Sequence, residues 1–171
     1  LEGGGSDYMI ISDKTDIDFA ATAAITSSFH LSGQICTSTE HILVHSKIYN
    51  KFKRALTKKL NALRVGDGLK KNELGPLSTE AAFNKAKNII NDAANKGALI
   101  TCHKDSDHIE SLKGYFICPA IIEKTKSNML CEKDEMFAPF VTIEPYIKIS
   151  EAVKKVNKSQ FINERDNEKI L

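Results

Sequence analysis

The stretch Ser32-Gly33-Gln34-Ile35-Cys36-Thr37-Ser38 decides how this chain folds. It sets one thiol in a polar turn, with a helix-like run before it and a strand-like run after it. Upstream, Asp13 to Asp18 supply helix-start signals, and Ile17, Ala20, Ala21, Ala24 and Ile25 recur at helical spacing. Downstream, His41-Ile42-Leu43-Val44-His45 reads as a strand. A cysteine attacks a substrate only as the thiolate, so it needs reachable backbone N–H groups, partial exposure and a base close by. Most free cysteines are small buried hydrophobes instead. Cys102 and Cys118, each inside an apolar run, are expected to be of that kind and buried in the sheet; Cys36, among Gly33, Gln34, Thr37 and Ser38, is not.

The alternation extends to both sides of this turn. Tyr8-Met9-Ile10-Ile11 follows three glycines and is long enough for one buried strand. Ser46 is a candidate cap for a helix whose apolar face is Tyr49, Phe52, Leu56, Leu60 and Leu63, with Gly66 and Gly68 as its stop. A second helix is predicted from about Ser78, with Ala82, Ala86, Ile89, Ile90 and Ala93 on one side and Gly97 ending it. Ala98 to Cys102 reads as a strand and His103 to Lys113 as a polar loop. Tyr115 to Cys118 and Ala120 to Ile122 read as extended segments interrupted by Pro119, and Phe140 to Tyr146 as a further strand. Ser150 is the candidate cap of a last helix. Strands alternating with helices predict an α/β domain with an open, largely parallel sheet flanked by helices.

Composition bounds the function. In 171 residues, 42% hydrophobic and 27% charged, one domain with one sizeable core is expected over 1–171. Lys+Arg 24 against Asp+Glu 22 gives a net charge of +2, and the two signs are interspersed, so neither a nucleic-acid nor a membrane partner is indicated. The stretch from Phe19 to Thr39 lacks charged side chains but is too polar to span a bilayer. Four cysteines without a C-x-x-C pair point to reduced thiols, no metal site and a cytoplasmic setting. Leu1-Glu2-Gly3 has neither an initiator Met nor a signal-peptide pattern, and a piece of a longer chain is expected.

Taken together, five motifs resemble the aldehyde dehydrogenase superfamily. Leu1-Glu2-Gly3-Gly4-Gly5-Ser6-Asp7 is similar to its glutamate signature and Gly33-Gln34-Ile35-Cys36-Thr37 to its cysteine signature. Leu74-Gly75-Pro76-Leu77, Gly114-Tyr115-Phe116 with Pro119, and Asp134-Glu135-Met136-Phe137-Ala138-Pro139-Phe140 follow in the family's order. The resemblance implies that Cys36 attacks an aldehyde carbon and that the adduct gives up hydride to NAD or NADP, leaving a thioester. Glu2 would then activate the water that hydrolyses it to a carboxylic acid. Glu135 would accept hydrogen bonds from the nicotinamide-side ribose and Phe137 lie beside it. A homo-oligomeric whole enzyme is also implied.

Three positions depart from the family pattern: Gly3 replaces a leucine, Ala138 a glycine, and Leu31 stands where a polar residue is usual. After Phe161 the family would continue with a Gly-Leu segment and a strand, so a missing segment is expected between Phe161 and Ile162. No Gly-x-Gly-x-x-Gly loop occurs, so these residues are expected to be a catalytic portion without its dinucleotide-binding domain, binding no cofactor by themselves. Two alternatives stand beside this reading. One is an inactive relative serving as an interaction or folding module; the other is a member passing the acyl group to coenzyme A.

Overall fold

The computed structural model describes residues 4–159. Glu2 and the junction of Phe161 with Ile162 lie outside the described residues. Five strands form one sheet in the order β1-β2-β5-β4-β3, with β1 at Asp7–Ile11, β2 at Thr39–His45, β3 at Leu99–Cys102, β4 at Ala120–Glu123 and β5 at Phe140–Tyr146. The pairs β1 with β2, β2 with β5 and β5 with β4 are parallel, and only the edge strand β3 runs antiparallel. The expected open, largely parallel α/β sheet is present.

Helices cover both faces, and side-chain parity along the strands sorts the core between them. Ile42 and Val44 of β2, Ile121 of β4, and Val141 and Ile143 of β5 face α1 (Ile17–Phe29) and α2 (Tyr49–Leu60). Ala120, Ile122 and Phe140 face α3 (Glu80–Asn95), while Leu43 and Tyr146 face α5 (Ile149–Val156). The spacing of Phe52, Leu56 and Leu60 puts all three on the buried side of α2, each 0% exposed. α1 meets the core through alanines, Ala20, Ala21 and Ala24. Asp16 caps α1 by accepting a 2.7 Å hydrogen bond from Phe19 N–H.

Several local expectations are corrected. Ser46 does not cap α2, whose N-cap is Ile48, and the helix ends at Leu60, before Gly66. Ser150 does not cap α5. Glu151 accepts from the N–H groups of Ile147 and Lys148, closing that terminus from inside the helix. The polar run after His103 contains a short helix, α4 (Ser106–Ser111), seated by the buried Ile109. Tyr115 to Cys118 forms no strand. Cys118 is buried as expected, but Cys102 is exposed because it ends the edge strand.

Candidate active site

The turn carrying Cys36 leaves α1 through backbone that most residues avoid. Leu31, Ser32 and Gly33 have φ of 49, 58 and 72°, three successive left-handed residues, two of them non-glycine. Each of the two non-glycine residues costs on the order of 1–3 kcal/mol there and persists only where surrounding contacts over-determine it. Those contacts come from the other motifs. Ser32 Oγ donates to Gly75 O at 2.8 Å, and Gln34 Oε1 accepts from Ser78 N–H at 2.9 Å, so the Leu74–Leu77 stretch grips the entry to the turn. Leu77 N–H in turn donates to Tyr115 O at 2.9 Å, which ties in the Gly114–Phe116 motif. Ser38 Oγ closes the exit by reaching the carbonyls of Ser27 and Ser28, both at 3.2 Å, at the end of α1.

Two glycines are required by close approach. A Cβ on Gly33 would stand 2.2 Å from Ala138 O, and a Cβ on Gly5 would stand 2.0 Å from Cys36 O, far inside van der Waals contact. The backbone of the Glu2 motif therefore lies flat against the residue that carries the thiol. Gly5 N–H also donates to Glu135 Oε1 at 3.2 Å. Four motifs distant in sequence thus touch the Cys36 turn directly or through one hydrogen bond, while the Cys36 thiol itself is exposed.

Glu135 and Phe137, both half-buried, line one pocket of about 200 Å³ together with Lys85 and Met136. A carboxylate beside an aromatic ring suits a sugar diol next to a flat heterocycle. Phe137 has φ 47°, and Ala138 is not left-handed, so alanine in place of glycine there brings no backbone strain.

Glu40 is the functional-site residue that the sequence reading missed. It is 4% exposed, and its Oε1 accepts from Met136 N–H at 2.7 Å and Phe137 N–H at 2.9 Å. Among the described residues its Oε2 has no partner. Burial pushes its carboxyl up to about 7, against the lowering effect of the two N–H groups. Glu40 thereby fixes the left-handed Phe137 backbone from the first residues of β2. Its neighbour His41 is buried between Ser6 Oγ at 2.9 Å and Thr142 Oγ1 at 2.7 Å, and stacks on Tyr8 with ring centroids 4.5 Å apart. Burial lowers His41 to about 4, so it is neutral near pH 7 and joins β1 to β5 as a structural bridge. Two ionisable residues side by side at the head of a strand were the available signal, because neither belongs in an apolar core without a task.

The family model for the aldehyde dehydrogenase family matches residues 1–164. The chain belongs to that family. It is 35% identical over 158 residues to a mitochondrial succinate-semialdehyde dehydrogenase of Oryza sativa subsp. japonica, covering 92% of this chain and 29% of that protein. It is 31% identical to the alpha-ketoglutaric semialdehyde dehydrogenase of Bacillus subtilis, covering 94% of this chain and 33% of the other. Among solved structures it is similar to betaine aldehyde dehydrogenase from Staphylococcus aureus in complex with NAD+, with TM-score 0.83 and 29% identity over 90% of this chain and 31% of that one. An aldehyde dehydrogenase from Brucella melitensis biovar abortus gives TM-score 0.81 and 32% identity. The chain spans about a third of the length of these aldehyde dehydrogenases.

Proposed function

We propose that this chain is the catalytic portion of an NAD(P)-dependent aldehyde dehydrogenase that oxidises an aldehyde to a carboxylic acid through a thioester on Cys36. The observation that supports this most is the convergence of the motifs on the Cys36 turn, which exposes one thiol on backbone held from several sides. Cys36 Sγ attacks the carbonyl carbon, and the backbone N–H of Cys36 is the donor proposed for the oxygen that gains charge. A bound NAD or NADP supplies the oxidant for the resulting adduct. Glu135 and Phe137 would hold its nicotinamide end, and Glu40 keeps the Met136 and Phe137 backbone between and beside them in place. Glu2, in the family's glutamate motif, is the proposed base for deacylation, and the approach of Gly5 to Cys36 supports bringing that motif to the thioester. The four free thiols support a cytoplasmic setting.

Alkylation tests the reading. Iodoacetamide in limiting amount is expected to modify Cys36 ahead of Cys118 and Cys131, which are 6% and 0% exposed, and an aldehyde added beforehand is expected to protect Cys36 alone. Equal modification of all three by peptide mapping, or no protection by aldehyde, would remove Cys36 from the proposed role.

A further inference from the structure

At the sheet edge opposite β1, two sulfurs that the proposed oxidation does not use come together. β3 pairs antiparallel with β4, which sets Cys102 across from Ala120, and the ladder continues with His103 N–H donating to Pro119 O at 3.0 Å. Cys118 lies two residues before Ala120, so its side chain emerges on the same side as that of Cys102. The Cys118 thiol donates to the carbonyls of Pro119 at 3.6 Å and His103 at 4.0 Å, the two residues that continue the ladder past Cys102. Cys102 is exposed and Cys118 is 6% exposed, and both line one cavity of about 360 Å³ walled by Phe83, Lys87, Glu110 and Phe116.

We propose that Cys102 and Cys118 form a redox-active dithiol, in which a hydroperoxide entering this cavity oxidises Cys102 and Cys118 resolves the product to an intramolecular disulfide. The exposed and buried sulfurs suit different halves of that reaction. The neighbouring Cys118 thiol is the main cause that brings the Cys102 thiol down to about 7, while Cys118 itself is pushed up by its neighbour and by burial. The Cys102 thiolate attacks the outer peroxide oxygen, the O–O bond breaks, and the alcohol or water leaves after taking a proton. Cys102 is then a sulfenic acid, oxidised by two electrons. Cys118 sulfur attacks the Cys102 sulfur, the S–O bond breaks, and water departs with the Cys118 proton. Two thiols and one hydroperoxide thus give one disulfide, one alcohol and one water. Cys118 is shielded by burial yet opens onto the same cavity as the sulfur it must attack.

The test treats the 171-residue chain carrying Cys36→Ser with tert-butyl hydroperoxide below one equivalent and maps the peptides. The expected product is a Cys102–Cys118 crosslink that has lost two hydrogens and is restored by dithiothreitol, with loss of iodoacetamide labelling at both sulfurs when the chain is alkylated after unfolding in denaturant. Cys118→Ser is expected to raise dimedone trapping at Cys102 several-fold, because the sulfenic acid then has no resolving partner. Recovery of Cys102 as sulfinic or sulfonic acid without the crosslink would overturn the proposal, as would two thiols that stay fully alkylatable. The crosslink is read with both cysteines present, so that decision does not depend on how Cys118→Ser folds.

Discussion

At the scale of single residues, Glu40 has the largest consequence that can be measured in solution. Its carboxyl, ordinarily near 4.5, is pushed up to about 7 in the folded state, chiefly by burial. Between those values the folded chain keeps a proton that the unfolded chain has released. Its contribution to stability is therefore fully present below pH 4.5 and is lost as pH rises through 7. For a residue 4% exposed the loss is on the order of 3 kcal/mol at 1.36 kcal/mol per tenfold change in proton affinity. Glu40→Gln keeps an acceptor for the Met136 and Phe137 N–H groups but carries no charge. Denaturant melts are expected to show the parent losing stability relative to Glu40→Gln between pH 5 and pH 8, and parallel curves would remove Glu40 as the cause. His41 has the opposite slope on the acid side. Held near 4 by burial, it opposes folding as pH falls below 6.5, and the Gln variant leaves that limb unchanged. The exposure of Cys36 was legible from its polar neighbours, whereas the buried grip of Glu40 was not. A carboxyl that works by gripping the amides of Met136 and Phe137, 96 and 97 positions away, leaves no local pattern.

At the scale of elements, what could be read in advance followed periodicity, and what could not followed tertiary contacts. The spacing of Phe52, Leu56 and Leu60 identified the buried side of α2 because each was placed by helix geometry alone. The caps were less legible. Ser46 and Ser150 have the right chemistry, but turns packed against Tyr146 and Glu151 set the helix starts. α4 was missed because a single apolar residue, Ile109, seats it and six residues give no period to count. Cys102 was misplaced for a related reason, since composition cannot tell an edge strand from a central one. Leu56 lies where α2 meets α1 and the sheet at 0% exposure, so Leu56→Ala is expected to cost about 2–5 kcal/mol by the cavity it leaves. In urea this appears as a lower midpoint with the slope unchanged, and a cost below about 0.5 kcal/mol would mean that the α1–α2 layer does not hold the fold.

At the scale of the whole molecule, the Cys36 turn and the grip on a dinucleotide are separable demands. The turn is assembled from contacts within residues 5–138: Gly5 against Cys36, Ser32 on Gly75, Gln34 on Ser78, Gly33 against Ala138. Each lies inside the described sheet and its loops. Oxidation asks for more, because the nicotinamide ring must be held against the reacting carbon, and such positioning accounts for about 7–11 kcal/mol of a barrier. Glu135 and Phe137 contact only the ribose and ring end in this reading, and the sequence carries no Gly-x-Gly-x-x-Gly loop for the pyrophosphate. The purified 171-residue chain is therefore expected to hydrolyse an activated ester slowly through an acyl group on Cys36, at a rate that NAD does not change. From aldehyde and NAD it is expected to form no detectable reduced cofactor. Cys36→Ala is expected to abolish the ester hydrolysis while leaving the thermal melt close to that of the parent, since an exposed side chain is removed. Strong NADH production by this chain would place a full dinucleotide site within these residues, and ester hydrolysis surviving Cys36→Ala would move the nucleophile elsewhere.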